Sequence, residues 1–246
     1  MNVMELKDHV SGALYGFAIG DYEGSGDCLC RTKMMLAVSE AFMLFPDDSE
    51  KFKVECANIF STLLSSLEAD MDDECREGIE FYDRTGEFSS QVKENLNCWS
   101  LTRYLPCALV HKDGFNLKQS RITHGSSECD RSILKASEAL RQSMMGNYTF
   151  DDHMGLQKAS DDATGVLHNS LVYASSGSFK HALKQALEDE GDSTSIAAIA
   201  CSFAGARVGL SEIDPRLVSK IPIEVKKSIG KFSDFVVSYL TSKELV

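Results

Sequence analysis

Glycines 12, 16 and 20 recur at four-residue intervals in "GALYGFAIGDYEGSGD", so in a helix all three fall on one face. A face without side chains lets a neighbouring backbone come close, and it leaves few other ways to pack the segment. A second stretch, "GDSTSIAAIACSFAGARVG" at Gly191–Gly209, is similarly short of bulk, with Ala197, Ala198, Ala200, Ala204, Gly205 and Ala206. A helix lined this way is expected at the centre of a fold.

The remaining periodicity is helical almost throughout. Met34, Met35, Val38, Phe42 and Phe45 mark a core-facing stripe over Lys33–Phe45. Further helices are predicted at Met4–Gly20, Glu50–Asp70, Ser89–Asn97, Arg131–Met145, Asp161–Ser175, Phe179–Glu188, Ser195–Gly209 and Lys231–Lys243. Strand-like alternation is scarce, and no repeat or low-complexity linker is visible. FPDDSE, DRTGEF, HKDGFN and MGNYTFDDH read as turns between helices. The expectation is an all-α protein, one compact multi-helix domain over residues 1–246.

Charge narrows the function. A net charge of −12 argues against a broad nucleic-acid surface, although it leaves room for a pocket holding one nucleotide. No apolar run reaches the roughly 20 residues of a membrane span, and MNVMELKDHVSG lacks the features of a secretory leader. The eight cysteines are scattered, with only Cys28 and Cys30 close together, which is too few for a zinc site. Mostly reduced thiols in a cytoplasmic protein are expected.

Four polar stretches interrupt the apolar pattern. Asp21 and Glu23 follow the glycine face, and a tightly packed helix ending in a Gly-rich loop would explain that alone. In "NCWSLTRYLPCALV", Asn97, Trp99 (the only tryptophan), Ser100 and Arg103 precede an apolar helix punctuated by Pro106. Asn97 or Ser100 would cap it. In "RITHGSSECD", His124 sits among Thr123, Ser126 and Ser127 before the helix expected near Arg131. In "GDSTS", Asp192, Ser193, Thr194 and Ser195 set oxygens at a helix N-terminus, where they could gather a cation, an anion or the helix's own N–H groups.

In order and spacing, these stretches resemble the ADP-ribosylglycohydrolase family. The shared pattern is G-x-x-x-G-D-x-x-G, then N-x-x-S-L-x-R-x-x-P, then T-H, then G-D-S-T-S-I-A-A-I-A. "TGVLHNSLVYA" is similar to a further family segment, and the likeness runs from about Gly12 to Gly209. The resemblance implies an all-α fold and hydrolysis of ADP-ribosyl bonds. It also implies two magnesium ions held between a T-D-D-T motif and a G-D-T-D-T/S motif.

This chain departs from the family where those ions would sit. Aligned on the following helix, T-D-D-T becomes Leu29, Cys30, Arg31 and Thr32, and both carboxylates are gone. In the second motif Asp192 and Ser195 match, but the second Asp is Thr194. One carboxylate cannot offset two divalent ions. The insert that carries an acidic residue in active members is reduced to Ser25–Cys28. The family's G-N-G becomes Asn97, Cys98 and Trp99, so Trp99 either blocks the approach or offers a base a flat surface.

No magnesium or other cofactor is therefore expected. Arg31 is expected to face Asp192 and take over the ions' electrostatic role. The expected ligand site comprises Arg31, Asn97, Trp99, Ser100, Arg103, Thr123, His124, Ser126, Asp192 and Ser195. Its expected partner is a small nucleotide such as ADP-ribose or a cyclic relative, which the protein binds without hydrolysing. Two alternatives stay open. One is a hydrolase of altered mechanism, with Asp192, Asp21 or Glu23 activating water. The other is an interaction protein that reuses the fold.

Overall fold

The computed structural model describes residues 1–67, 71–88, 95–146, 155–175 and 177–243, and the regular elements among them are all helices. Asn2 starts α1 (Val3–Ser25) with a capping box: its Oδ1 accepts from the Glu5 N–H, and the Glu5 carboxylate accepts from the Asn2 N–H, both at 2.9 Å. Gly26, at φ 65°, ends α1.

The glycine face of α1 is spent on one neighbour, α10 (Ser193–Val208). A Cβ on Gly12, Gly16 or Gly20 would drive into the backbone of Gly205, Cys201 or Ala197 respectively. The two helices thus meet main chain to main chain. Residues 195–206 of α10 are all buried, which gives the central position that its small side chains call for.

Around this pair lie α2 (Cys30–Leu44), α3 (Ser49–Leu67), α7 (Ser127–Met144), α8 (Ala163–Ala174), α9 (Phe179–Leu187) and α12 (Ile223–Ser242). Phe42 of α2 makes edge contacts with Phe52 of α3 and with Phe235 and Tyr239 of α12. This aromatic knot fixes the far end of α2.

Four further helices complete the set: α4 (Asp73–Thr85), α5 (Leu105–Leu109), α6 (Asp113–Ser120) and α11 (Pro215–Lys220). HKDGFN, read as a turn, instead contains the start of α6 at Asp113. α4 escapes the periodicity because only Cys75, Gly78 and Ile79 of it are buried. Most of the helix expected over Ser89–Asn97, and MGNYTFDDH beyond Gly146, lie outside the described residues. Asn97 itself is not helical and pairs with Asp162 in an isolated antiparallel bridge. Among the described residues no helix is long and apolar enough to cross a membrane.

Candidate functional site

Three helix ends converge where α1 stops and α2 and α10 begin. Asp192 is the N-cap of α10, accepting from the Ser195 N–H at 3.0 Å and from the Ser195 hydroxyl at 2.6 Å. Arg31, in the first turn of α2, reaches across to it. Its Nε donates to Ser195 Oγ at 2.6 Å, and one terminal nitrogen donates to the two Asp192 oxygens at 3.1 and 3.3 Å. The other terminal nitrogen lies 3.8 Å from Asp21 Oδ1. Asp21 is anchored in turn by the Thr32 N–H and hydroxyl, both at 2.8 Å, and by Ser25 Oγ at 3.2 Å.

Arg31 is only 4% exposed, and its guanidinium carbon stands 4.8 Å from the centre of the Trp99 ring. Trp99 is itself buried, so one ring face meets Arg31. Cys98 brings a thiol 3.4 Å from Asp192 Oδ2.

Two carboxylates share this cation and titrate in opposite directions. Burial pushes Asp192 up, but the Arg31 charge and the hydrogen bonds from Ser195 and Cys98 outweigh it and hold the group below the usual range. Asp21 has no exposure, and there burial outweighs Arg31, Thr32 and Ser25, leaving its pKa raised.

The arrangement does not fit two divalent ions. At the T-D-D-T positions Leu29 has no ligand atom, the Cys30 sulfur is bonded to Cys28, and Arg31 puts a cation against the acceptors a metal would need. Among the described residues no three or more His, Cys, Asp or Glu side chains are grouped to hold a metal. Glu23 faces elsewhere and pairs with Lys220 at 2.7 Å.

The other expected ligand residues form a second, buried layer. Asn97 accepts from the Trp99 N–H at 3.0 Å and so caps the short 3-10 helix Cys98–Arg103. Arg103 is fully buried, held by Gln119 Oε1 at 2.9 Å, Thr123 Oγ1 at 3.0 Å and the Phe60 ring at 4.9 Å. Thr123 Oγ1 also meets His124 Nδ1 at 2.6 Å. Burial, then the Arg103 charge, keep His124 neutral, with its pKa well below the ordinary imidazole value. Ser126 caps α7 by accepting from the Glu128 N–H. Ser100 and His124 are buried too, beside the Cys129 thiol and the Asn97 backbone respectively.

The structure brings Arg31, Asp192 and Ser195 together with Trp99, and adds Asp21, which the sequence offered only as a base for the alternative hydrolase. The sequence reading misses Cys98 and Gln119, which no motif marks. Thr32, the one T-D-D-T position retained beside the cluster, was the available signal for its role. Beside Asn97 opens a cavity of about 590 Å³ whose walls carry Asp72, Asp73, Glu74, Asp161 and Asp162.

Comparison with known proteins bears on the fold and the family likeness. A family profile described as ADP-ribosylglycohydrolase matches residues 136–240. The ADP-ribosyl-[dinitrogen reductase] glycohydrolase of Rhodospirillum rubrum is 25% identical over 233 positions, covering 82% of this chain and 76% of that protein. A solved structure described as an ADP-ribosylglycohydrolase-related protein complex superposes with a TM-score of 0.79 at 18% identity. That alignment covers 97% of this chain and 99% of the other, so the two share a fold over nearly their whole length.

Proposed function

From this chain's similarity to the ADP-ribosylglycohydrolase family, we propose a non-hydrolysing relative that holds ADP-ribose or a related linear or cyclic nucleotide without metal. The observation that carries the proposal is the Arg31 guanidinium, seated among Ser195, Asp192 and Asp21. A buried cation with three acceptors supplies fixed positive charge and leaves those acceptors nothing to give a divalent ion.

The groups that could replace metal catalysis are each engaged. Asp192 is ion-paired, Asp21 is sealed from solvent, and Glu23 is paired with Lys220. A general base must reach the water it activates. Retained binding is supported by Ser100 and His124. Both stand at family-matching positions in the sequence.

A second reading, an interaction protein on the same fold, draws on the burial of Trp99 and on the acidic cavity beside Asn97, which suits a cationic group and repels a diphosphate.

Incubation with ADP-ribose, read by thermal shift and by chromatography of the recovered nucleotide, separates these readings. A shift with intact nucleotide supports the binder, a cleaved product supports a hydrolase, and no shift supports the interaction protein. Magnesium binding at micromolar affinity by calorimetry would refute the replacement of metal by Arg31.

A further inference from the structure

Cys28 and Cys30 stand one residue apart in the turn that delivers Arg31 to Asp192, and their sulfurs are joined. We propose that this C-x-C pair is a thiol–disulfide exchange site for cellular dithiols, and that its redox state sets the seat of Arg31. The inference is independent of the nucleotide reading, because no nucleotide enters its test.

Three features of the turn support exchange. The two Cα atoms are 5.3 Å apart, inside the range a disulfide spans without backbone movement. Leu29 between them is buried at φ 47°, a left-handed conformation that a branched L-residue resists, so the bond staples a reversal the backbone would not favour alone. The other six cysteines are free and buried, whereas Cys28 is half-buried. A reductant therefore meets this pair first.

The chemistry balances with one dithiol. Its thiolate attacks Cys28 Sγ and the S–S bond breaks. The electron pair leaves on Cys30, which lies in the first turn of α2, where free N–H groups favour a departing thiolate. The reductant's second thiol then attacks the mixed disulfide and releases Cys28. Two electrons and two protons pass to the pair, and the dithiol departs as its own disulfide.

Arg31 follows Cys30 directly and lies over Trp99. The single tryptophan of the chain therefore reports any shift of the guanidinium.

The test equilibrates the full chain in dithiothreitol buffers of graded oxidised-to-reduced ratio. Free thiols are then trapped by alkylation and counted by mass, and tryptophan emission is read in parallel. The expected result is one two-electron transition from six to eight free thiols, mapped to Cys28 and Cys30, with emission following the same curve. Cys28→Ser, or Cys30→Ser if the first variant does not fold, should abolish both responses. Eight free thiols in every buffer, six persisting in excess reductant, or a transition that leaves tryptophan emission unmoved would each overturn the proposal.

Discussion

Removing Arg31 strands the buried Asp21 and the half-buried Asp192, and the size of the loss follows from the geometry. At 3.1 Å, and with an effective dielectric of about 20, the Arg31–Asp192 attraction is about 5 kcal/mol before desolvation is subtracted. Taking one partner from a buried pair costs about 3–5 kcal/mol, because the other charge stays buried. Arg31→Ala should therefore lower stability by about 3–5 kcal/mol, or about 6–20 °C in Tm for a chain of this size. Asp192→Ala loses the same contact and the α10 cap, the latter worth about 1 kcal/mol. The double variant should recover about 2 kcal/mol relative to the sum of the singles. The assay is urea unfolding of all four proteins, followed by far-ultraviolet circular dichroism. An Arg31→Ala loss below about 1 kcal/mol, or additivity within about 0.5 kcal/mol, would refute the pairing. The sign with pH is fixed too. Because Asp192 has a depressed pKa, its contribution is full above the unfolded value near 3.9 and fades as pH falls through the folded value.

Other outcomes can be measured alongside. His124 is neutral when folded and takes up a proton when unfolded, so it costs the protein about 1.4 kcal/mol between pH 7.5 and 5.5. His124→Gln should show a shallower loss over that interval, and an unchanged slope would exclude the burial argument. Gly16→Ala forces a Cβ into the Cys201 carbonyl and should cost about 2–3 kcal/mol. Gly230→Ala, in open space on α12, should gain up to about 1 kcal/mol; effects of the same sign at both sites would contradict the packing account. Restoring carboxylates with Cys30→Asp, Arg31→Asp and Thr194→Asp together should create magnesium-dependent thermal stabilisation that the parent lacks. If the triple variant is indifferent to millimolar magnesium, more than these three positions separates the chain from a metal site.

The long helices and the Arg31–Asp192 pairing could be read from sequence because each rests on local spacing: four-residue glycines for α1, small residues for α10, and helix register for the displaced motif. α4 and α6 could not, since one buries too few residues to draw a stripe and the other begins with turn chemistry at Asp113–Gly114. Arg103 and His124 read as pocket residues by their neighbours in the chain, yet three-dimensional packing puts both at zero exposure. Their surroundings, Gln119, Phe60 and Cys75, come from segments that no spacing rule connects. The choice between an open and a covered Trp99 likewise depended on Arg31, 68 positions away.

Gly20 abuts the backbone of Ala197, one residue before Asp21 and two after Ser195. The span between those two oxygen-bearing side chains is thus ruled by peptide planes in van der Waals touch, which substitutions elsewhere in the cleft cannot stretch. What stands between them can be exchanged, a guanidinium for something smaller or more highly charged, while the gauge of the opening stays the same. A designer seeking new chemistry on this scaffold would rewrite the first turn of α2 and the facing first turn of α10, and leave the glycine seam alone.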